Sequence, residues 1–178
     1  MRTLFIALPL AFSIACGGGA PADKKEDKKE AAKGDAKADA PKEEPKKEGP
    51  AALDLAKLGL TAEAPEGAAA GDAIVGDGVM IQGPGIVVTV QVAGEMYPKT
   101  LEDAKKEATE MYSGKEIKEE TLPDGWVIVW ENEGGLGKNY WVQARRDIDG
   151  KSYECSTTAS QPEQQTNALA TCKSLKKK

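Results

Sequence analysis

The sequence contains no histidine. That absence removes Ser-His and Cys-His nucleophile activation, imidazole ligation of zinc or copper, and the side chain that ordinarily titrates near neutral pH. Cysteine is scarce as well, at three residues in 178, and no Cys-x-x-Cys spacing joins any two of them. A basic face is also missing. Residues 51–178 hold 14 Lys and Arg against 20 Asp and Glu, a net charge of −6, so no Lys/Arg stripe is on offer to the phosphates of nucleic acid. The only basic cluster, Lys173 with Lys176, Lys177 and Lys178, reads as a solvated tail favourably placed at a helix C-terminus. No nucleic acid, metal or cofactor is expected.

Residues Leu4 to Ala15 are nearly all apolar but number only twelve, whereas a bilayer-spanning helix needs about 20. A charge precedes the run at Arg2 and small residues follow it, so residues 1–15 have the layout of a secretory signal peptide. Ser13-Ile14-Ala15-Cys16-Gly17 resembles the lipobox of bacterial lipoproteins, in which the thiol of the Cys accepts a diacylglyceryl group before cleavage on its N-terminal side. The resemblance implies that Cys16 is acylated and becomes the first residue of the mature chain, at the bacterial cell envelope. Multiple acyl chains anchor firmly where one does not. Gly17 after the Cys fits the family's outer-membrane default. Ser13 stands where the family prefers Leu, and Ser13 with Ala15 also fits ordinary signal peptidase; a soluble secreted or periplasmic protein is the alternative.

Residues 16–50 read as a disordered tether. From Ala20 to Pro50 only Ala, Lys, Asp, Glu, Pro and Gly occur, so nothing can build a core. Pro41, Pro45 and Pro50 forbid a continuous helical rod. As a coil the segment spans about 30 Å, and fully extended about 110 Å.

Residues 51–178 read as one α+β domain. Apolar alternation over 53–62 predicts a first strand; Ile74-Val75 and Val79-Met80-Ile81 read as two short β runs about Gly76-Asp77-Gly78. Over 86–92 the pattern puts Ile86, Val88, Val90 and Val92 on one face. Thr100 to Met111 changes period, with Leu101, Ala104, Ala108 and Met111 on one helical face, Thr100 and Asp103 as a capping box and Gly114 as the stop. Met111 and Tyr112 are expected in the core. Strands over 117–122, 126–130, 140–145 and 152–157 predict a four-stranded antiparallel meander. Ser160, Pro162 and Glu163 signal a closing helix with an apolar stripe of Ala168, Leu169, Cys172 and Leu175. The expected architecture is therefore an antiparallel sheet with two main helices packed on it.

With Cys16 lipidated, Cys155 and Cys172 remain. Cys155 shares a strand face with Tyr153 and Thr157, and Cys172 lies on the apolar stripe, so a structural disulfide is expected between them. Two free buried cysteines or a redox pair are the alternatives.

Gly134-Gly135-Leu136-Gly137-Lys138-Asn139 brings phosphate loops to mind, but Asn132 stands at the first Gly position, Asn139 replaces the Ser/Thr, and the segment joins two strands. A hairpin loop is the better reading. The carboxylate pairs Glu119/Glu120, Glu131/Glu133 and Asp147/Asp149 lack the loop spacing that converges oxygens on calcium. Trp126, Ile128 and Trp130 share a strand face and read as core, while Trp141 is the candidate for an exposed binding surface.

The Leu-x-Leu-x-Ala-x-Ala-Pro-Glu-Gly opening at 58–67, the mid-chain helix after a strand pair, the Gly125-Trp126 strand and the closing helix resemble PsbP-like α/β-sandwich domains. That family serves accessory and adaptor roles, so the resemblance implies a binding or assembly module. The expected function is thus a lipid-anchored, non-enzymatic envelope protein. Its partners are the membrane, through the anchor, and another envelope component. The alternatives are a histidine-independent hydrolase using carboxylates such as Glu131 and Glu133, and a purely structural spacer.

Overall fold

A computed structural model describes residues 49–178. Its first strands, β1 (Ala51–Leu55) and β2 (Leu60–Ala64), pair antiparallel from Ala51 opposite Ala64 to Leu55 opposite Leu60. The single strand expected over 53–62 is therefore a hairpin, broken by a 3-10 turn at Ala56–Leu58 that reverses the chain at Gly59. The alternation that suggested a strand is real: Leu60, Ala62 and Ala64 all point inward and are buried.

A larger sheet follows, of seven strands. It comprises β3 (Ala69–Asp72), β4 (Val79–Gly83), β5 (Ile86–Val92), β6 (Lys115–Leu122), β7 (Gly125–Gly134), β8 (Gly137–Ile148) and β9 (Lys151–Ala159). Their spatial order is β3-β4-β5-β9-β8-β7-β6, with every pairing antiparallel. The expected meander is β6 to β9, folded back so that β9 lies against β5. Helix α1 (Leu101–Glu110) fills the crossover, and α2 (Pro162–Ser174) follows the last long strand.

The two faces of this sheet are covered differently. On one, α2 and the small sheet bury Val88 and Val90 of β5, Val127 of β7, Val142 and Ala144 of β8 and Cys155 of β9. On the other, α1 covers only the β6–β7 end, where Ala104 and Ala108 meet Trp126, Ile128 and Trp130. Thr100 caps α1 as expected, its hydroxyl accepting the Asp103 N–H at 3.1 Å.

Five local expectations are corrected. Ile74 and Val75 form no strand. The hydrogen-bonding row of β4 is already taken by Ala69–Asp72, so residues 73–78 become a loop, closed by the Ala73 N–H on the Gly78 carbonyl at 3.1 Å. Val92, the last residue of β5, is exposed, although Ile86, Val88 and Val90 share the buried face predicted for it. Met111 is 73% exposed, because it caps α1 where the chain turns away; Tyr112 enters the core instead. The C-terminal lysines are solvated in their side chains only. Lys176–Lys177 form β10, which pairs with β2 opposite Thr61 and Leu60, and the Lys178 N–H reaches the Gly59 carbonyl at 3.1 Å. Helix α2 starts from Gln161 rather than from Ser160, with Pro162 in its first turn.

Candidate functional site

The expected signal peptide, Cys16 and the expected tether up to residue 48 lie outside the described residues. Within the domain, Cys155 on β9 and Cys172 on α2 face each other across the core at disulfide-bonding distance, with Cα atoms 5.6 Å apart and both residues fully buried. Strand register aims Cys155 at the helix, since it shares the inward face with Val90 and Ala144 on the flanking strands. A bond between them would fasten α2 to the sheet.

The sheet face that α1 leaves open holds the most unusual chemistry. One cross-strand row runs Gln91 on β5, Glu154 on β9, Arg145 on β8 and Trp126 on β7. Such directly opposed side chains lie about 5 Å apart at Cβ and interact. Glu154 is only 5% exposed. Gln91 Nε2 donates to its carboxylate at 3.2 Å, and the polar side chains of Ser156, Gln143 and Tyr97 lie close enough to favour its charged form. Burial pushes the Glu154 carboxyl above its ordinary range, against the pull of those donors. Its neighbour on the row supplies no ion pair, because the Arg145 guanidinium turns towards Asp147, 3.8 Å away. Gln143, itself 7% exposed, lies beside the carboxylate and leaves its Oε1 buried with no partner. A buried carboxylate beside an unpaired carbonyl oxygen is a costly arrangement in an apolar setting.

Two loops close over this row. The first, Ala93–Lys99, lays Tyr97 and Pro98 over Glu154 and leaves a cleft with no space for a water molecule. Its latch is Gln91 Nε2 donating to the Tyr97 hydroxyl at 2.6 Å, with a long 3.5 Å bond from Trp126 Nε1 to the Lys99 carbonyl behind it. Burial, and then the Glu154 charge, push the Tyr97 hydroxyl pKa upward. The second loop, residues 73–78, rests on Gln91 from the other side. A Cβ on Gly78 would meet the Val90 carbonyl at 2.7 Å and Gln91 Cβ at 2.9 Å, so only glycine admits that approach. Both loops thus converge on Gln91, and both present large apolar side chains to solvent: Ile74 at 85%, Val75 at 81% and Met96 at 95% exposure.

Trp141 sits elsewhere on the same face, in the aromatic cluster under α1. It is half-buried, stacked on Trp130 with ring centroids 5.4 Å apart and planes 6° from parallel, and Tyr112 tilts against it at 4.6 Å. Its indole N–H is committed to Asn132 Oδ1 at 3.0 Å. One ring face and the indole N–H are therefore already engaged within the domain. Trp126, Ile128 and Trp130 are buried together, as the strand pattern implies.

The carboxylate pairs face solvent and are taken up in ion pairs. Glu131 meets Lys138 at 2.8 Å, Glu119 meets Lys105 at 3.0 Å, Glu120 meets Lys173 at 2.8 Å and Asp149 meets Lys177 at 2.7 Å. Exposed pairs of this kind contribute little. Neither Glu131 nor Glu133 lines the Glu154 cleft or the other described cavity, a groove of about 300 Å³ between β2 and α2 beside Pro50 and Thr171. The glycine-rich segment is the tight β7–β8 hairpin, with Gly134 opposite Gly137 and Leu136 fully exposed. Among the described residues, no three His, Cys, Asp or Glu side chains are gathered as metal ligands.

Glu154, Gln143 and Tyr97 escape sequence reasoning because they share no local motif. Only strand register, which is long-range, brings Gln91, Glu154 and Arg145 into one row. The available signal is weaker: Gln91, Gln143 and Glu154 are polar residues that alternate with core residues within strands.

No protein-family model matches the chain, and no curated protein matches it either.

Proposed function

We propose that the chain is an exported lipoprotein, held at the cell envelope through acyl chains on Cys16, most naturally at the outer membrane, whose domain is a non-enzymatic binding module. The observation that carries the binding reading is the exposure of Ile74, Val75 and Met96 on two loops fixed to the same residue, Gln91. Large apolar side chains presented to solvent, away from the domain's own core, mark a surface that another molecule covers. The disulfide-competent pair Cys155 and Cys172 suits an oxidising compartment, in keeping with export. A PsbP-like accessory or adaptor role is consistent with the order of elements. A hydrolase built on Glu131 and Glu133 has less to support it, since Lys138 neutralises Glu131 at an open hairpin end. A pure spacer has no use for the apolar loops.

Two measurements test the proposal. Cells fed an acyl-chain probe should label the protein, and Cys16→Ser should abolish the label; equal labelling of both removes the anchor. Photo-crosslinking side chains placed at Val75 and Met96 in the native envelope should capture a partner, while the same group at exposed Glu102 on α1 should not. Silence at both loop positions removes the binding surface.

A further inference from the structure

Taking the two loops as a binding surface, we infer that they receive a polypeptide segment bearing a lysine between apolar residues, its ammonium seated against Glu154 and Gln143. The rim selects for such a segment. Apolar flanks have Ile74, Val75 and Met96 to cover, and the same loops carry Asp77 and Glu95, neither of which has an ion-pair partner among the described residues. The charged groups around the cleft are Glu154, Arg145 on β8 and Lys99 at the end of the strap, and of these Arg145 is turned towards Asp147. Counting Asp77, Glu95 and Glu154 against Arg145 and Lys99, the surface around the cleft carries one net negative charge, which favours a cation over an anionic lipid surface.

The interior makes the same selection. The buried Oε1 of Gln143 has no partner, and an amide oxygen can only accept. A carboxylate and a lone carbonyl oxygen, both buried, require a donor, and a donor with positive charge satisfies both. The Trp126 ring lines the cleft beside them and favours a cation. Tyr97 and Pro98 would lie along the aliphatic stem, which is how lysine buries its methylenes while its tip stays polar. A compact ammonium suits so narrow a slot better than the planar fork of arginine.

The cleft is closed in this structure, so the segment must lift the Ala93–Lys99 strap and break the 2.6 Å bond between Gln91 and Tyr97. Breaking that latch opposes binding. Tyr97→Phe, which removes it, is therefore expected to tighten binding, whereas a Tyr97 that served only as a contact would weaken it on substitution.

The test uses the full chain carrying Cys16→Ser, purified from the soluble fraction, and the peptide acetyl-Val-Leu-Lys-Leu-Val-amide. Amide NMR follows the Gln143 side-chain N–H and the Trp126 indole N–H as peptide is added. Saturable shifts at both are expected, with binding weakened about tenfold or more when norleucine replaces the lysine, and by a similar factor in Glu154→Gln. Tyr97→Phe should strengthen it. The norleucine peptide leaves the protein untouched, so that arm stands even if Glu154→Gln folds poorly. Equal binding of the two peptides, or no shift at the highest soluble concentration, overturns the inference. Binding of the protein to phosphatidylcholine vesicles that survives in Glu154→Gln overturns it too, in favour of a lipid surface. Crosslinks from Val75 and Met96 alongside a silent lysine peptide leave the surface standing and remove this chemistry alone.

Discussion

Arg146 on β8 and Asp124 in the β6–β7 turn form a two-pronged pair, with Nε to Oδ1 at 2.9 Å and Nη2 to Oδ2 at 2.8 Å. The remaining prong, Nη1, donates to the carbonyls of Cys172 and Lys173 at 2.8 and 2.6 Å. One buried guanidinium therefore fixes a turn of the sheet and satisfies the C-terminal end of α2, where a positive charge is also favoured. Removing the arginine strands two carbonyls and a carboxylate at once. Arg146→Ala is expected to cost about 3 kcal/mol or more, and Asp124→Asn, which keeps one acceptor at a partly exposed site, about 1 kcal/mol. Urea titration of both variants measures this, and a loss under ~1 kcal/mol for Arg146→Ala would show that the helix end is held by other contacts.

The pair of Cys155 and Cys172 is separated by 17 residues, which puts the stabilisation by their bridge at about 3 kcal/mol in the chain-entropy view. Alkylation of the unfolded, unreduced protein should modify neither cysteine, and reduction should lower the urea midpoint. Labelling of both thiols before reduction would leave α2 held by packing and by its hydrogen bonds, those of Arg146 and Gln165 among them.

Glu154 gives stability a pH dependence of unusual sign for a carboxylate. Because burial raises its pKa in the folded state above the ordinary 4.5, the folded protein holds the proton more tightly than the unfolded chain does. The associated stability is fully present below pH 4.5 and is lost as pH rises through the folded value. Glu154→Gln cannot ionise, so its stability relative to the parent should grow as pH climbs from 4 towards 8. A relative stability that shrinks over that range would mean that the hydrogen-bond donors outweigh burial.

Gly125 opens β7 at φ +152°, and a Cβ there would lie 1.9 Å from the Arg145 carbonyl oxygen. The obstacle is backbone, which cannot swing aside. Gly125→Ala should therefore cost more than the ~1 kcal/mol typical of an unfavourable dihedral, because the β7–β8 ladder must open to admit it. Thermal unfolding decides; an unchanged midpoint would mean that the turn relaxes freely.

Local signals foretold much of the fold. The Thr100 cap, the β6–β9 meander and the placement of Cys155 and Cys172 on facing surfaces depend on residues a few positions apart, where periodicity and capping chemistry act directly. The errors arise where tertiary pairing overrides propensity. Ile74 and Val75 have the β-branching of strand residues yet stay in a loop, while Ala69–Asp72, an Ala-Ala-Gly-Asp run with little β propensity, becomes the edge strand because β4 supplies its partners. Of the site, Trp141 was visible as an aromatic but its stacking on Trp130 was not, and the Glu154 row needed the register of four strands.

Strand β2 acquires its second neighbour only from β10, and the Ser174 hydroxyl accepts from the Glu63 N–H 111 residues away along the chain. The first strands of the domain to be synthesised are thus among the last to be completed, since Leu60 and Ala62 wait for α2 and the terminal lysines to bury and pair them. Contacts of such separation close slowly. A nascent chain that has not yet reached α2 and Lys176–Lys177 keeps an open strand and an uncovered apolar row, so the domain cannot set in its final form before those residues have arrived.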